Sequence, residues 1–182
     1  MGPDAGLTAS EIVNDWAEAD LAALIRQYGE EPLAARMAGA IVRARPIQST
    51  ATLSTVIAQA MPAARRRAGH PARRTFQAIR IAVNDELEAI AEGLDQAIEI
   101  LGTGGRVIAI SYHSLEDRIV KQRFAREARG CICPPDLPVC GCGETSGLRL
   151  LTRKAMRASA AEVIENNRAR SAVLRAGEKV AA

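Results

Sequence analysis

Residues 104–121 read GGRVIAISYHSLEDRIVK, and their interpretation decides the fold. Val107–Ile110 is a short, β-branched, continuous apolar run between a glycine turn and a polar cluster. That pattern predicts a strand buried on both faces, as in a parallel sheet. His113, Ser114 and Asp117 follow at once. A Ser/His/Asp hydrolase is one reading, but the Gly-x-Ser-x-Gly elbow that strains such a nucleophile is missing. Triad members also usually meet through the fold rather than as chain neighbours. The other reading is a helix start over about 115–128. Ser114 would accept from the amide of residue 117, and Glu116 and Asp117 would sit at the positive end of the helix dipole. In open α/β sheets ligands bind at the carboxyl ends of strands. His113 and Ser114 occupy that position, so they are candidates for a binding site as well as for a packed cap.

Outward from this stretch, the upstream chain is helical. From Pro71 to Leu101, Phe76, Ile79, Val83, Leu87, Ile90, Leu94, Ile98 and Leu101 recur three or four apart, predicting one long helix bent near Gly93. Arg73, Gln77, Arg80 and Asn84 form a polar stripe on it. This is either a solvated face or a donor-rich surface for phosphates and base edges. Before it, the first 62 residues read as helices. Thr8 and Glu11 make a capping box, Leu21, Leu24, Ile25 and Tyr28 mark a second helix ended by Gly29, and Pro32 opens a third that Pro46 stops. Ser49 or Thr50 starts a fourth. The segment ARRRAGHPARR, residues 64–74, reads as a mobile, solvated basic stretch.

Downstream, CICPPDLPVCGCG places Cys131, Cys133, Cys140 and Cys142 within twelve positions. Four thiolates suit tetrahedral zinc, though the Cys-x-Cys spacing is not the usual one; free or redox thiols and disulfides are the alternatives. A strand LRLLTR, a helix over about 159–166 and a last strand around 172–176 complete the chain. Arg168, Arg170 and Arg175 surround the turn before that strand, as a basic surface loop or as phosphate contacts.

The totals bound the rest. The chain has 182 residues, 48% hydrophobic, with 24 basic residues against 21 acidic ones and a net charge of +3. This permits nucleic-acid binding without arguing for it. Two Phe, two Tyr and one Trp make base-stacking platforms scarce. No apolar stretch reaches the roughly 18 residues of a membrane span, and no targeting segment is evident, which implies a cytoplasmic protein. A helical block followed by one apolar strand with flanking helices cannot close a sheet, so part of the sheet is expected elsewhere.

Taken together, TFQAIRIAVNDEL (75–87), GGRVIAISYHSLEDRIVK, LRLLTRK (148–154) and NNRARSAVLR (166–175), with GLTASEIVNDWAEADLAALIRQYGEE (6–31), resemble the C-terminal part of the RsmH/MraW family in order and spacing. These are S-adenosylmethionine-dependent methyltransferases acting on the N4 amino group of a cytidine in small-subunit ribosomal RNA. The resemblance implies an α/β fold: a partial Rossmann-like methyltransferase domain (71–182, with the cysteine-rich loop 131–142), preceded by an inserted all-helical substrate-recognition domain (1–70). It implies S-adenosylmethionine as cofactor and ribosomal RNA as partner. It also implies that the glycine-rich cofactor loop lies in about a hundred further residues not present here, because Gly102–Gly105 precedes a strand rather than following one. No cofactor-binding residue is therefore assigned. The substrate-side candidates are Arg73, Arg80, Asn84, His113, Ser114, Glu116, Asp117 and Arg118, with no catalytic base identified. Tyr112 stands where relatives usually carry Phe, and Asn167 where they usually carry Pro. A homodimer, or a missing N-terminal half, is expected at the exposed strand edge. A standalone RNA-binding module and a small zinc protein are the competing readings.

Overall fold

The computed structural model describes residues 6–66, 70–130, 133, 139, 141–143 and 145–181. The chain divides into two compact units, Met1–Glu86 and Leu87–Ala182. The sequence-based division near residue 70 would have left the helix Arg73–Asn84, which lies in the first unit, with the second.

The first unit is helical: α1 (Ala9–Asn14), α2 (Glu18–Gly29), α3 (Ala34–Arg43), α4 (Thr50–Ala60), the single turn α5 (Ala63–Arg66) and α6 (Arg73–Asn84). Thr8 caps α1 as its sequence predicts: its hydroxyl accepts from the Glu11 amide, and Glu11 returns the bond to the Thr8 amide. Ser49 caps α4 in the same manner, through the Thr52 amide. Amphipathic spacing turns Ile12, Leu21, Ile25, Met37, Ile41 and Ile57 into one fully buried core. Each such side chain contributes about 1.5–3 kcal/mol on burial. Gly29 lets α2 approach α6 closely, since a Cβ there would sit 2.6 Å from the Arg74 carbonyl oxygen. Arg45 donates to Val13 O in the last turn of α1 and to Trp16 O in the loop beyond it, satisfying a carbonyl that the helix end leaves without an intrahelical partner.

The basic segment is not simply solvated. Arg65 and Arg74, near its two ends, both approach the buried carboxylate of Glu31 (3.9 and 3.6 Å), which also accepts from the Leu33 amide. A buried carboxylate needs such neighbours. Residues 67–69 lie outside the described residues.

The long helix expected from Pro71 to Leu101 is two helices. Its break is at Asp85, not near Gly93. Asp85 adopts a left-handed conformation (φ 47°) and closes α6, and α7 (Glu86–Ile100) starts at the next residue. Asp is among the few non-glycine residues that tolerate that region, whereas the apolar period runs through the break unchanged and conceals it.

The second unit packs α7 and α8 (Ser114–Arg129) on a small sheet of β1 (Arg106–Ser111), β2 (Leu148–Leu150), β3 (Met156–Arg157) and β4 (Val173–Lys179). α9 (Ala160–Glu165) and a 3-10 helix (Asn167–Ser171) lead into β4. The strand order is β1-β4-β2, with β3 beside the start of β4, and every pairing with β4 is antiparallel. β1 and β2 therefore run parallel to each other, joined by the α8 crossover, and β4 is inserted between them. β1 is not buried on both faces as its apolar run suggests. Val107, Ala109 and Ser111 face the helices; Ile108 and Ile110 are more than half exposed on the other side. Among the described residues β1 pairs on one edge alone. Gly177 in β4 makes room for the buried Leu148, since a Cβ would lie 2.6 Å from Leu148 Cδ2. Lys179 donates to Ile98 O, near the end of α7, as a cation at a helix C-terminus should.

Candidate functional site

The candidates fall into two groups, one in each unit. In the first, α6 carries Arg73, Gln77, Arg80 and Asn84 on one stripe. Three of the four are engaged. Gln77 donates to Tyr28 O at 3.1 Å. Arg80 makes a bidentate contact to Glu86, with Nε and Nη2 at 2.8 and 2.9 Å from the two carboxylate oxygens. Asn84 donates to the same carboxylate at 3.0 Å. The Asn that is a poor mid-helix residue thus sits in the last turn and joins Glu86 just past the break. Arg73 is exposed.

Arg80 stands half-exposed at the rim of a cleft of about 640 Å³. Val13, Ile47, Leu53, Phe76, Ile79 and Val83 give it apolar walls, with Asn14, Ser49 and Thr50 at the margin. Asn14 is fixed by two hydrogen bonds to the backbone of Ile47. An apolar cleft of this size with a few placed polar groups suits a small organic group, and Arg80 is pre-oriented by Glu86.

In the second unit the chain turns from β1 into α8. The cap is His113, one residue earlier than the sequence suggested. Its Nδ1 accepts from the Glu116 amide at 3.4 Å, and Glu116 accepts from the amides of Tyr112 (2.7 Å) and His113 (3.2 Å). Since Nδ1 accepts, the proton is assigned to Nε2. Nε2 lies 3.1 Å from the other Glu116 oxygen, an ion-pair distance without hydrogen-bond alignment. Ser114 is therefore the first helical residue, with an exposed side chain, and Arg118 is exposed one turn on. His113 occupies the cap because its ring nitrogen reaches the amide that a Ser would otherwise take.

Asp117 has a partner that the sequence did not reveal. Arg175, in the middle of β4, donates through Nε and Nη2 to its two oxygens at 2.7 and 2.9 Å. The guanidinium's hydrogen bonds, followed by its charge against the cost of burial, hold the Asp117 carboxyl below its usual range and raise Arg175 in turn. Arg175 is thereby separated from Arg168 and Arg170, which remain exposed on the 3-10 helix. The available signal was its position: a lone charge within VLRAG on a strand's covered face requires a counter-charge.

Gly102–Gly105 is a turn. Gly105 donates to Gly102 O and Gly104 to Lys179 O, both at 2.8 Å. These two amides are engaged in the turn and the sheet. Of the four cysteines, Cys131 and Cys140 lie outside the described residues. Among the described residues no group of three or more His, Cys, Asp or Glu is placed to hold a metal ion, so the zinc reading gains no support. No helix among them is long and apolar enough to cross a membrane.

With the geometry in place, comparison with known proteins is decisive. The pattern of the MraW methylase family matches residues 1–180. The chain belongs to that family. Proteins named ribosomal RNA small subunit methyltransferase H are similar to it. The one from Symbiobacterium thermophilum is 58% identical over 180 residues, covering 97% of this chain and 57% of its own length. Those from Thermomicrobium roseum and Heliobacterium modesticaldum are 54% and 52% identical, covering 98% and 99% of this chain and 56% and 59% of their own. This MraW family chain thus spans a little over half the length of the relatives it matches. Its small antiparallel sheet with flanking helices is compatible with a portion of a mixed α/β methyltransferase.

Proposed function

We propose that this chain is the C-terminal part of an enzyme that transfers a methyl group from S-adenosylmethionine to the N4 amino group of a cytidine in small-subunit ribosomal RNA, in the cytoplasm. On this reading the helical unit, residues 1–86, is an inserted RNA-recognition domain and the second unit, residues 87–182, belongs to the second half of a Rossmann-like methyltransferase domain. The observation that carries it is the sheet. β4 is inserted antiparallel between two parallel strands, and the outer edge of apolar β1 is left without a neighbour among the described residues. A parallel sheet continuing beyond β1 would cover that edge. The relatives' names and lengths support the same conclusion.

Methyl transfer from a sulfonium is an in-line displacement, so the enzyme's main task is to hold donor and acceptor in line at close range. A cytosine N4 lone pair is delocalised into the ring, so the amino group gains from an acceptor nearby and from a pocket for an unstacked base. The bound cofactor supplies the methyl group. This chain's own residues work on the substrate side. Arg80, fixed by Glu86 at the mouth of the apolar cleft, offers its remaining guanidinium N–H groups to phosphate or base edges. His113, Glu116 and Asp117 hold the strand-to-helix turn rigid, presenting Ser114 and Arg118 to the substrate.

Calorimetric titration of the purified chain with S-adenosylmethionine tests the assignment. No binding is expected from this chain alone, and transfer of labelled methyl to small ribosomal subunits should appear when the upstream portion of the Symbiobacterium relative is supplied. Micromolar cofactor binding by the chain alone would defeat the division of labour. The exposed Arg73, Arg168 and Arg170 favour a second reading, an RNA-binding module without catalysis. RNA affinity that falls steeply with salt, with no methyl transfer in the reconstituted assay, would select it.

A further inference from the structure

Residues 151–171, LTRKAMRASAAEVIENNRARS, hold five basic residues against two acidic ones. That surplus of three positive charges equals the surplus of the whole chain, so the remainder of the chain is neutral. The five are Arg153, Lys154, Arg157, Arg168 and Arg170, and all are exposed. Elsewhere in the second unit Arg106, Arg123, Arg149 and Arg175 each meet a carboxylate. Among the described residues no carboxylate lies within ion-pair distance of these five. The fold gathers them at one end of the sheet. β3 sets Arg157 opposite Val173 at the start of β4, and Ser111, the last residue of β1, stands opposite Val173 on the other side. Arg157 is therefore two strand spacings, roughly 10 Å, from the end of β1. The 3-10 helix carrying Arg168 and Arg170 ends at Ser171, just before the same Val173. Buried Ala169 anchors that helix, and Asn166 caps it, accepting from the Arg168 amide at 3.1 Å.

Asp117 does not neutralise this cluster. Arg175 already holds both of its oxygens. After those hydrogen bonds, the charges of Arg157 and Lys121 lower the Asp117 carboxyl further, so both cations lie close to the pair. Lys121 is exposed on α8, two turns from Ser114. The positive surface thus runs from the 3-10 helix, past β3, to the turn that follows β1. Four of the five cations of the segment are arginine, whose planar fork matches two phosphate oxygens at once. Unpaired cations clustered on one side of a domain are the electrostatic footprint of a nucleic-acid backbone. We infer that Arg157, Arg168 and Arg170, with Arg153 and Lys154 beside them, form a track for the phosphates of the RNA strand flanking the target nucleotide, leading it to the carboxyl end of β1. The inference deepens the proposed function and rests on it for the identity of the RNA. Phosphate contacts of this kind supply affinity and register, not choice of sequence.

The test measures binding of the full chain to small-subunit ribosomal RNA stripped of protein, by filter retention across a salt series. Each phosphate contact to a single strand steepens the fall of log affinity with log salt by about 0.7. Arg157→Gln, Arg168→Gln and Arg170→Gln together should therefore flatten that slope by about 2 and weaken binding by at least about tenfold near physiological salt. The control is Arg126→Gln with Arg129→Gln, exposed in the last turn of α8, roughly 18 Å or more along the helix from Ser114; it should leave the slope nearly unchanged. All the substituted positions are exposed, and native amide-exchange protection around Phe124 verifies that each variant folds. With the upstream portion of the Symbiobacterium relative supplied, the loss in the triple variant should fall on KM for small ribosomal subunits rather than on kcat, because the track holds substrate and transition state alike. An unchanged slope in the triple variant, an equal loss per charge in the control, or no RNA binding by the unmodified chain would overturn the inference, while methyl transfer in the reconstituted assay would leave the proposed function standing. No RNA binding together with no methyl transfer would overturn both. Binding to intact subunits but not to stripped RNA, abolished in the triple variant, would overturn the inference by naming a ribosomal protein as the occupant.

Discussion

The Asp117–Arg175 pair joins the first turn of α8 to the middle of β4, and its removal has a calculable effect. The contact is bidentate, at 2.7 and 2.9 Å, with 23% and 13% of the respective side chains exposed. Two charge-assisted hydrogen bonds contribute roughly 1.5–3 kcal/mol each in mutational series. Part of that is offset by desolvating the guanidinium and carboxylate, so a coupling of about 2 kcal/mol is expected. Asp117→Asn keeps the shape and removes the charge; Arg175→Gln removes the charge and the guanidinium from the other side. A double-mutant cycle with both, read in urea, isolates the pair. Amide exchange in α8 is the appropriate readout because it reports local opening. Trp16, the only tryptophan, lies in the helical unit, and its fluorescence transition should not move. The pH dependence carries a definite sign. Asp117 is lowered in the folded state, so the stabilisation is complete above the carboxyl group's ordinary value near 3.9 and is lost as pH falls through the lowered value. A coupling below about 0.5 kcal/mol at pH 7, or one that survives full protonation at low pH, would refute the reasoning.

Three further outcomes follow from the same geometry. Thr8→Ala, which removes the hydroxyl half of the α1 capping box and leaves the residue-8 amide bonded to Glu11, should cost about 1 kcal/mol and shift the Trp16 transition while leaving α8 exchange unchanged. Gly29→Ala places a Cβ 2.6 Å from the Arg74 carbonyl; parting α2 from α6 should cost about 1–3 kcal/mol in a urea melt, and a neutral result would contradict the close helix approach. Phe124→Ala, which hollows the core beneath the sheet, should cost about 3–5 kcal/mol and appear in α8 exchange before any change at Trp16.

Local chemistry was legible in the sequence wherever one residue type answers one local need. Thr8 and Ser49 cap their helices because a short hydroxyl beside an unpaired amide has few better options. The spacing of Leu21, Ile25, Ile79, Leu94 and Ile98 marked core faces, since a helix returns every third or fourth side chain to one side. The long motifs that mark the MraW methylase family were equally legible, because their order and spacing survive without knowledge of the fold. Tertiary structure alone decided the break at Asp85, which the uninterrupted apolar period conceals. It decided the strand order as well. An apolar run such as Val107–Ile110 reads the same whether covered on two faces or one, and only the antiparallel insertion of β4 shows which face carries helices. The pairing of Asp117 with Arg175, 58 positions apart, lay beyond any local pattern for the same reason. Capping and periodicity depend on neighbours a turn away, whereas ion pairs and sheet faces depend on which distant segments the chain brings together.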